Sequence, residues 1–135
     1  MLKTLIIDNI ALIEHIELSF SAGLTVLSGE TGSGKSIIVD SLSFVLGDRA
    51  DKSLIKYGAD CAEVSAIFEV EIDSPVLAKL YDYGFGSDHE LLISRKMSAS
   101  GKNEIRINGK PSTLAILPDL TVTLTLTSYF PSAAF

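Results

Sequence analysis

The sequence has one cysteine, few basic residues and no glutamine. Cys61 has no second thiol with which to form an internal disulfide, so nothing indicates an oxidising compartment. Eleven lysines and arginines stand against seventeen acidic residues, which gives a formal net charge of −6. Because a domain that coats nucleic acid is expected to be basic, this balance argues against such a coat, although it leaves room for a local basic patch.

Long apolar runs are also missing. Asp8 interrupts the apolar segment near the N-terminus, which is therefore too short for the apolar region of a signal peptide. The longest uncharged stretch, residues 120–135, is too short and too rich in threonine to span a bilayer. We therefore expect a cytoplasmic protein with no membrane partner.

What the sequence does contain indicates a globular domain with strands and helices. The 135 residues have the length of one domain, and 47% of them are hydrophobic. Apolar runs and alternation predict strands at residues 2–8, 16–20, 24–27, 62–72, 91–96 and 104–107. Apolar residues at helical spacing predict a helix that ends near Gly47, namely Ile38, Leu42, Val45 and Leu46.

Short signals at turns and helix starts complete this outline. Asp51 or Ser53 is expected to cap a short helix after the first one. Pro75 favours the first position of another helix, because its missing N–H has no partner there in any case. Asn108-Gly109 predicts a tight hairpin turn, since both residues tolerate positive φ.

The glycine-rich segment after residues 24–27 has the pattern G-x-x-x-x-G-K-[ST] of a phosphate-binding loop. Its eight residues are Gly29, Glu30, Thr31, Gly32, Ser33, Gly34, Lys35 and Ser36. The glycines allow a tight curl whose N–H groups, with the start of the next helix, hold anionic phosphates. In such loops the lysine reaches the β- and γ-phosphates and the hydroxyl that follows it ligates Mg²⁺, so the segment predicts binding of a nucleoside triphosphate, ATP first among them.

A phosphate loop alone does not make an NTPase. Hydrolysis also needs an acidic residue at the end of an apolar strand to hold Mg²⁺ through water, and a group that positions the attacking water. Residues 5–8 have the composition of such a strand but precede the loop, so we interpret them as an outer strand paired with residues 16–20. Residues 68–73 alternate, which is typical of a surface strand. We find no convincing metal-holding carboxylate after the loop.

Several segments of the chain resemble the RecN family of bacterial DNA repair proteins. They are residues 5–13, 23–28 and 40–50 around the phosphate loop, and then residues 55–59 and 95–109. The start Asn9-Ile10-Ala11 and the segment Gly47–Ala50 are the specific part, because a phosphate loop occurs in many families. RecN proteins are similar to the structural-maintenance-of-chromosomes (SMC) ATPases, whose ABC-type heads are split by a long antiparallel coiled coil.

The resemblance implies an α/β fold, namely the N-terminal lobe of an ABC-type P-loop head with a mixed sheet and an antiparallel β layer. It implies ATP and Mg²⁺ as ligands, held by residues 29–36 with Ser36 as the metal ligand, and it places Asn9 near the adenine. It also implies a role in recombinational repair of DNA double-strand breaks. The implied partners are DNA, bound through the complete head, and a second head lobe or homodimer partner.

After Asn108-Gly109 the sequence departs from the family pattern. The family continues into a glutamine-containing loop, a coiled coil, a signature motif and an acidic metal-holding strand, whereas here no glutamine occurs and no charged residue follows Asp119. We therefore divide the chain into residues 1–118, the head lobe, and residues 119–135, an aberrant or truncated tail. No catalytic residue is assigned, and we expect little ATPase activity from this chain alone. The alternatives are an inactive truncated remnant and a stand-alone small P-loop NTPase.

Two basic features have more than one interpretation. Arg49 follows the loop helix and could approach phosphates or DNA, or it could be a surface arginine paired with Asp48 or Asp51. Between residues 91 and 110 five basic residues occur with Glu104 as their one acidic neighbour: Arg95, Lys96, Lys102, Arg106 and Lys110. Such a hairpin could contact DNA phosphates, or it could be a solvated face that serves solubility.

Overall fold

Six antiparallel strands form one sheet in the computed structural model, which describes residues 2–20, 32–70, 75–86 and 89–121. The strands are β1 (Leu2–Ile10), β2 (Ile13–Ser19), β3 (Cys61–Glu69), β4 (Glu90–Ser98), β5 (Asn103–Ile107) and β6 (Lys110–Ser112). Their order across the sheet is β2-β1-β3-β4-β5-β6. The helices are α1 (Gly32–Val45), α2 (Pro75–Asp82) and α3 (Leu117–Thr121), with a 3-10 turn at Lys52–Leu54.

One face of the sheet is apolar and is covered by α1. Successive side chains of a strand point to opposite faces, and in β3 the fully buried members are Ala62, Val64, Ala66 and Phe68. The helix contacts β1, β3 and β4. Its buried apolar residues join the same core cluster, namely Ile38, Leu42, Phe44 and Val45. The sheet therefore provides the surface on which the phosphate-loop helix rests.

The strands predicted at residues 2–8 and 16–20 pair with each other, as expected. Leu5 lies opposite Leu18 and Ile7 opposite Ile16 in antiparallel register. However, β2 is the edge of the sheet, and β1 lies one place further in, between β2 and β3. The strand predicted at residues 24–27 lies outside the described residues, and the part of the sheet that is described is antiparallel throughout.

The strand predicted over residues 62–72 is present as β3, and residues 71–73, at the end of the segment interpreted as a surface strand, lie outside the described residues. β3 ends at Glu69 and lies in the middle of the sheet, between β1 and β4. Phe68 is fully buried on the α1 side. The polar members of the alternation, such as Glu63 and Ser65, are only half-buried on the opposite face. The alternation of apolar and polar residues therefore predicted which face of the strand is exposed to solvent. It did not predict how far the strand lies from the edge of the sheet.

The end of α1 has the geometry that its glycine predicts. Gly47 has φ of +108°, and its N–H donates to the Phe44 carbonyl oxygen at 3.2 Å. The next N–H, that of Asp48, donates to the Ser43 carbonyl oxygen at 3.0 Å. This pair of bonds is a Schellman motif, which satisfies carbonyl groups that a helix end otherwise leaves without partners.

The other predicted turn and cap signals are confirmed as well. Asn108 and Gly109 have φ of +51° and +85° and connect β5 to β6 as a two-residue hairpin. Asp51 caps the 3-10 turn, because its side chain accepts a hydrogen bond from the Ser53 N–H at 3.1 Å. Pro75 is the first residue of α2.

The described chain continues across the predicted boundary at residue 118 in α3. Lys79 Nζ donates to Oδ1 of Asp119 at 3.0 Å and to its carbonyl oxygen at 2.9 Å. The Tyr83 hydroxyl donates to the other carboxylate oxygen at 2.5 Å. These bonds join α3 to α2, while the division at this point stays a prediction. Within the described ranges no helix combines the length and the apolar character needed to cross a bilayer.

Candidate nucleotide-binding site

Helix α1 begins inside the phosphate-loop motif. Its first five residues, Gly32–Ser36, are the last five of the motif, whereas residues 29–31 lie outside the described part. The first N–H groups of a helix have no acceptor within the helix, and the helix dipole favours negative charge beside them. No acidic side chain lies in the first turn to oppose an anion. These N–H donors at the start of α1 fit a phosphate group. The predicted roles of Lys35 at the phosphates and of Ser36 at Mg²⁺ stay predictions.

At the other end of α1 lies Arg95, which was grouped by sequence with the basic hairpin. That assignment is wrong, because Arg95 is only 2% exposed. Its Nη1 donates to the carbonyl oxygens of Phe44, at 2.8 Å, and of Asp48, at 2.7 Å. Its Nε donates to Oδ1 of Asn103 at 2.9 Å. Arg95 therefore binds the C-terminal end of α1 and does not face solvent.

The position of Arg95 follows from strand alternation. It is in phase with Ile93 and Met97, which are buried on the α1 side of β4. The guanidinium lies over the ring of Phe44, 4.3 Å from its centroid, a favourable cation–π contact. Burial lowers the pKa of Arg95, and the negative charge of Asp48 opposes that shift. A cation also suits this place because the C-terminal end of a helix is its negative pole.

The segment after α1 is held against the turn between β1 and β2. The N–H of Ala11 donates to the Leu54 carbonyl oxygen at 2.9 Å. The N–H of Lys56 donates to the Asn9 carbonyl oxygen at 2.8 Å. Asn9 and Ala11 both have positive φ, +57° and +53°. Such a conformation strains an alanine in particular, so the docked segment must hold this turn in place. Asn9, which the resemblance places near the adenine, is thus fixed by a structural neighbour.

Arg49 is exposed at the start of that segment. The predicted alternative of an ion pair with Asp48 or Asp51 is not found among the described residues. Arg49 instead lines an open cavity of about 370 Å³ between α1 and the 3-10 turn. The acidic residues of that cavity are Asp40, Asp48 and Asp51. The guanidinium is therefore available to an external anion, as the other interpretation requires.

The carboxylate before the loop, Asp8, lies on the wrong face to serve a ligand at α1. It alternates with Ile7, whose side chain is fully buried on the α1 side. Its Oδ1 is 2.5 Å from Nδ1 of His15, across the β1–β2 pair. The pairing of residues 5–8 with residues 16–20 is therefore confirmed, whereas their interpretation as an outer strand is wrong, because β1 lies between β2 and β3. Among the described residues no group of three or more acidic, histidine or cysteine side chains could hold a metal ion, and Asp73 lies outside them.

The remaining basic residues of the hairpin are exposed, namely Lys96, Lys102, Arg106 and Lys110. Lys96 is flanked across the sheet by Glu63 in β3 and Glu104 in β5. Those carboxylates reduce the positive potential around Lys96. Arg106 has uncharged cross-strand neighbours, Ser94 and Pro111. The structure thus leaves a basic surface that is smaller than the sequence suggested and is centred on β5 and its turns.

The sheet order and the helix that begins in the phosphate loop define an N-terminal lobe of an ATPase head of the SMC type. An SMC ATPase structure, from work on ATP-driven dimerization and DNA-stimulated activation of these enzymes, matches with a TM-score of 0.71 at 26% identity, over 96% of this chain and 83% of the other. The SMC head domain of Thermotoga maritima matches with a TM-score of 0.65 at 26% identity, over 87% of this chain and 41% of the other.

The chain belongs to the RecF/RecN/SMC N-terminal domain family, whose profile matches residues 1–128. Within that family it is similar to the DNA repair protein RecN of Bacillus subtilis (strain 168), with 42% identity over 121 residues. The match covers 89% of this chain and 21% of that protein, so the chain spans about a fifth of the length of this relative. The expected fold class and family are therefore confirmed.

Proposed function

We propose that this chain is the ATP-binding lobe of a RecN-like ATPase that acts in recombinational repair of DNA double-strand breaks. The proposal rests on one observation above all: a complete phosphate-loop sequence leads into a helix that lies on the sheet of an SMC-type head. The helix start supplies N–H donors and no competing carboxylate. The 42% identity to a RecN protein supports the repair role.

The residues of the motif would divide the work of holding Mg²⁺·ATP. The N–H groups of residues 29–34 would surround the phosphates, and Lys35 would place a compact positive charge beside the β- and γ-phosphates. The hydroxyl of Ser36 would be the protein ligand of Mg²⁺, which usually keeps several of its waters. The metal would neutralise charge on the terminal phosphates.

Partners follow from the class of protein and stay part of the proposal. The SMC ATPases in the matching structure are described as dimerizing under ATP and as activated by DNA. We expect this lobe to work likewise with a second head lobe, with a second head in a homodimer, and with DNA bound by the complete head. A cytoplasmic location suits such a partner set, and no membrane partner is proposed.

Binding of Mg²⁺·ATP by the purified chain tests the proposal, measured by calorimetric titration with and without Mg²⁺. Lys35→Ala should abolish binding, because it removes the cation at the γ-phosphate and nothing that the core needs. The matched control is Lys52→Ala, which removes one exposed lysine from the 3-10 turn. Equal affinities for the wild-type chain and Lys35→Ala, with both chains folded, would remove the phosphate site from the proposal.

A further inference from the structure

The strongest feature that the proposed ATP site does not use is the buried cation of Arg95. We propose that Arg95 is a positioning residue for the phosphate loop: by binding the backbone at the far end of α1, it sets where Gly32–Ser36 lie relative to the sheet. The inference rests on the proposed ATP site, since it concerns the placement of that site. It assigns to a residue of β4 a role that the phosphate-loop motif does not include.

Stability alone does not account for an arginine at this position. Arg95 is 2% exposed, and within the described chain no carboxylate lies at ion-pair distance from it. Burial of a cation without a counter-ion is costly, and well-packed apolar residues of similar volume are often as stable or more stable. A methionine would fill much of the same space beside Phe44 without a charge. What arginine adds is directional bonding.

Directional bonds supply what the apolar contacts of α1 lack. Burial of Ile38, Leu42 and similar residues against the sheet is favourable in many nearby orientations, because the hydrophobic effect has no preferred direction. A hydrogen bond, in contrast, weakens steeply as its geometry departs from linearity. Arg95 makes two such bonds, to Phe44 in the last turn and to Asp48 beyond Gly47. Together they restrict both sliding and rotation of the helix end.

The guanidinium is itself held from the other side. Oδ1 of Asn103 in β5 accepts from Nε at 2.9 Å, so the side chain is fixed between the strand pair and the helix. The ring of Phe44, 4.3 Å from the guanidinium carbon, limits its tilt. Arg95 is therefore a rigid connection between the β4–β5 pair and the end of α1.

A helix transmits a shift at one end to the other. The 14 residues of α1 extend over about 20 Å and connect the contacts of Arg95 to the phosphate-loop residues. Binding of phosphates depends on N–H groups that converge on one place, and a misplacement of about 1 Å caused by a distant mutation can cost a factor of about 100 in function. A smaller shift at the loop should still reduce affinity by about tenfold.

Two substitutions and one control separate positioning from simple stability. Arg95→Met keeps the bulk and removes the directional bonds, whereas Arg95→Lys keeps the charge and one donor group. Lys52→Met is the control, since it makes the same replacement at an exposed cation outside the proposed sites. On the full chain, we would measure amide hydrogen exchange in residues 32–40 and the affinity for Mg²⁺·ATP per folded molecule. The folded fraction would come from urea unfolding.

We expect Arg95→Met to raise exchange in residues 32–40 more than in β1 and β3, and to weaken Mg²⁺·ATP binding by about tenfold. Arg95→Lys should recover part of both effects, and Lys52→Met should change neither. If Arg95→Met lowers only the unfolding midpoint, with unchanged affinity per folded molecule and no selective rise in exchange, Arg95 is merely structural and the inference fails.

Failure of the proposed function can be distinguished from failure of this inference. A wild-type chain that binds no Mg²⁺·ATP contradicts the ATP site, and the exchange of residues 32–40 then decides alone whether Arg95 positions the start of α1. If Arg95→Met does not fold, Arg95→Lys is judged by the same two measurements. Values equal to those of Lys52→Met would contradict the inference.

Discussion

Asp8 and His15 face each other across the first two strands, with Oδ1 of Asp8 2.5 Å from Nδ1 of His15. The hydrogen bond that His15 Nδ1 donates to the Asp8 carboxylate is the main reason that the pKa of His15 is raised above its usual value, and the charge of the same carboxylate adds to it. Both side chains lie on the face of the sheet opposite α1. Their contact therefore affects the edge of the sheet and not the phosphate loop.

This pair predicts a pH dependence with a defined sign. Because the pKa of His15 is higher in the folded state, its contribution to stability is complete below pH 6.5 and is lost as pH rises through the folded-state pKa. Asp8→Asn should return the NMR titration midpoint of His15 towards 6.5, whereas Glu14→Gln, a neighbouring change of the same kind, should not. A midpoint that Asp8→Asn leaves where it was would show that the pair does not form in solution.

The two arginines near the end of α1 should differ sharply in their effect on stability. Arg95→Ala removes a buried donor group from the Phe44 and Asp48 carbonyls and should lower the free energy of unfolding by about 2–3 kcal/mol. Arg49→Ala removes an exposed side chain that forms no ion pair among the described residues, and should change it by less than about 0.5 kcal/mol. Urea unfolding measures both, and equal effects would contradict the assigned burial.

Contact with DNA by the basic hairpin is a separate prediction. Replacement of Lys96, Lys102 and Arg106 by glutamine should weaken binding to duplex DNA and reduce the slope of log affinity against log salt by about one for each lost phosphate contact. Arg95 is left intact because it is buried. Replacement of Lys3 and Lys52 provides a control for lost charge. A salt slope that stays at the wild-type value would favour a hairpin face that serves only solubility.

The 135-residue chain alone should bind ATP weakly and turn it over very slowly. Phosphoryl transfer needs a positioned water and stabilisation of the charge that develops, and the sequence shows neither a signature motif nor a metal-holding acidic strand after the loop. Asp8 points away from α1. Steady-state phosphate release is the measurement, with Lys35→Ala as the blank.

Robust turnover that Lys35→Ala abolishes would support the stand-alone NTPase instead. Asp8→Asn and Asp73→Asn would then identify the carboxylate responsible. Loss of turnover in Asp8→Asn would also contradict the placement of Asp8 on the far face of the sheet. A chain that neither binds nor turns over ATP although it folds would match the inactive remnant.

Local signals in the sequence were sufficient for much of the fold. Alternation at Ala62, Val64 and Ala66 correctly gave the buried face of β3, because a strand repeats every two residues. Asn108-Gly109 and Gly47 marked a turn and a helix end, since each depends on the backbone freedom of one or two residues. These signals could not predict the order of the strands in the sheet. β1 pairs with β3 through backbone hydrogen bonds, and because every sequence has the same backbone groups, no residue type marks which strands are neighbours.

For Arg95, the positive charge led to a wrong prediction of exposure although the strand alternation was correct. Its phase with Ile93 and Met97 already indicated the buried face, but a cation between Ser94 and Lys96 suggests a wet hairpin. The acceptors that make burial possible are main-chain oxygens of Phe44 and Asp48, distant in sequence and invisible in side-chain composition. The bonds from Lys79 and Tyr83 to the carboxylate of Asp119 are hidden as well, because they join side chains that are distant in sequence.

The place of β3 between β1 and β4 imposes an order on folding during synthesis. The ribosome releases β1 and β2 first, yet an isolated hairpin is at best marginally stable in water. Leu5 and Ile7 acquire their second neighbouring strand only once residues 61–69 have emerged. Until then the phosphate-loop helix has no completed sheet on which to pack. A translational pause before Cys61 would therefore leave the apolar side of β1 exposed to other nascent chains.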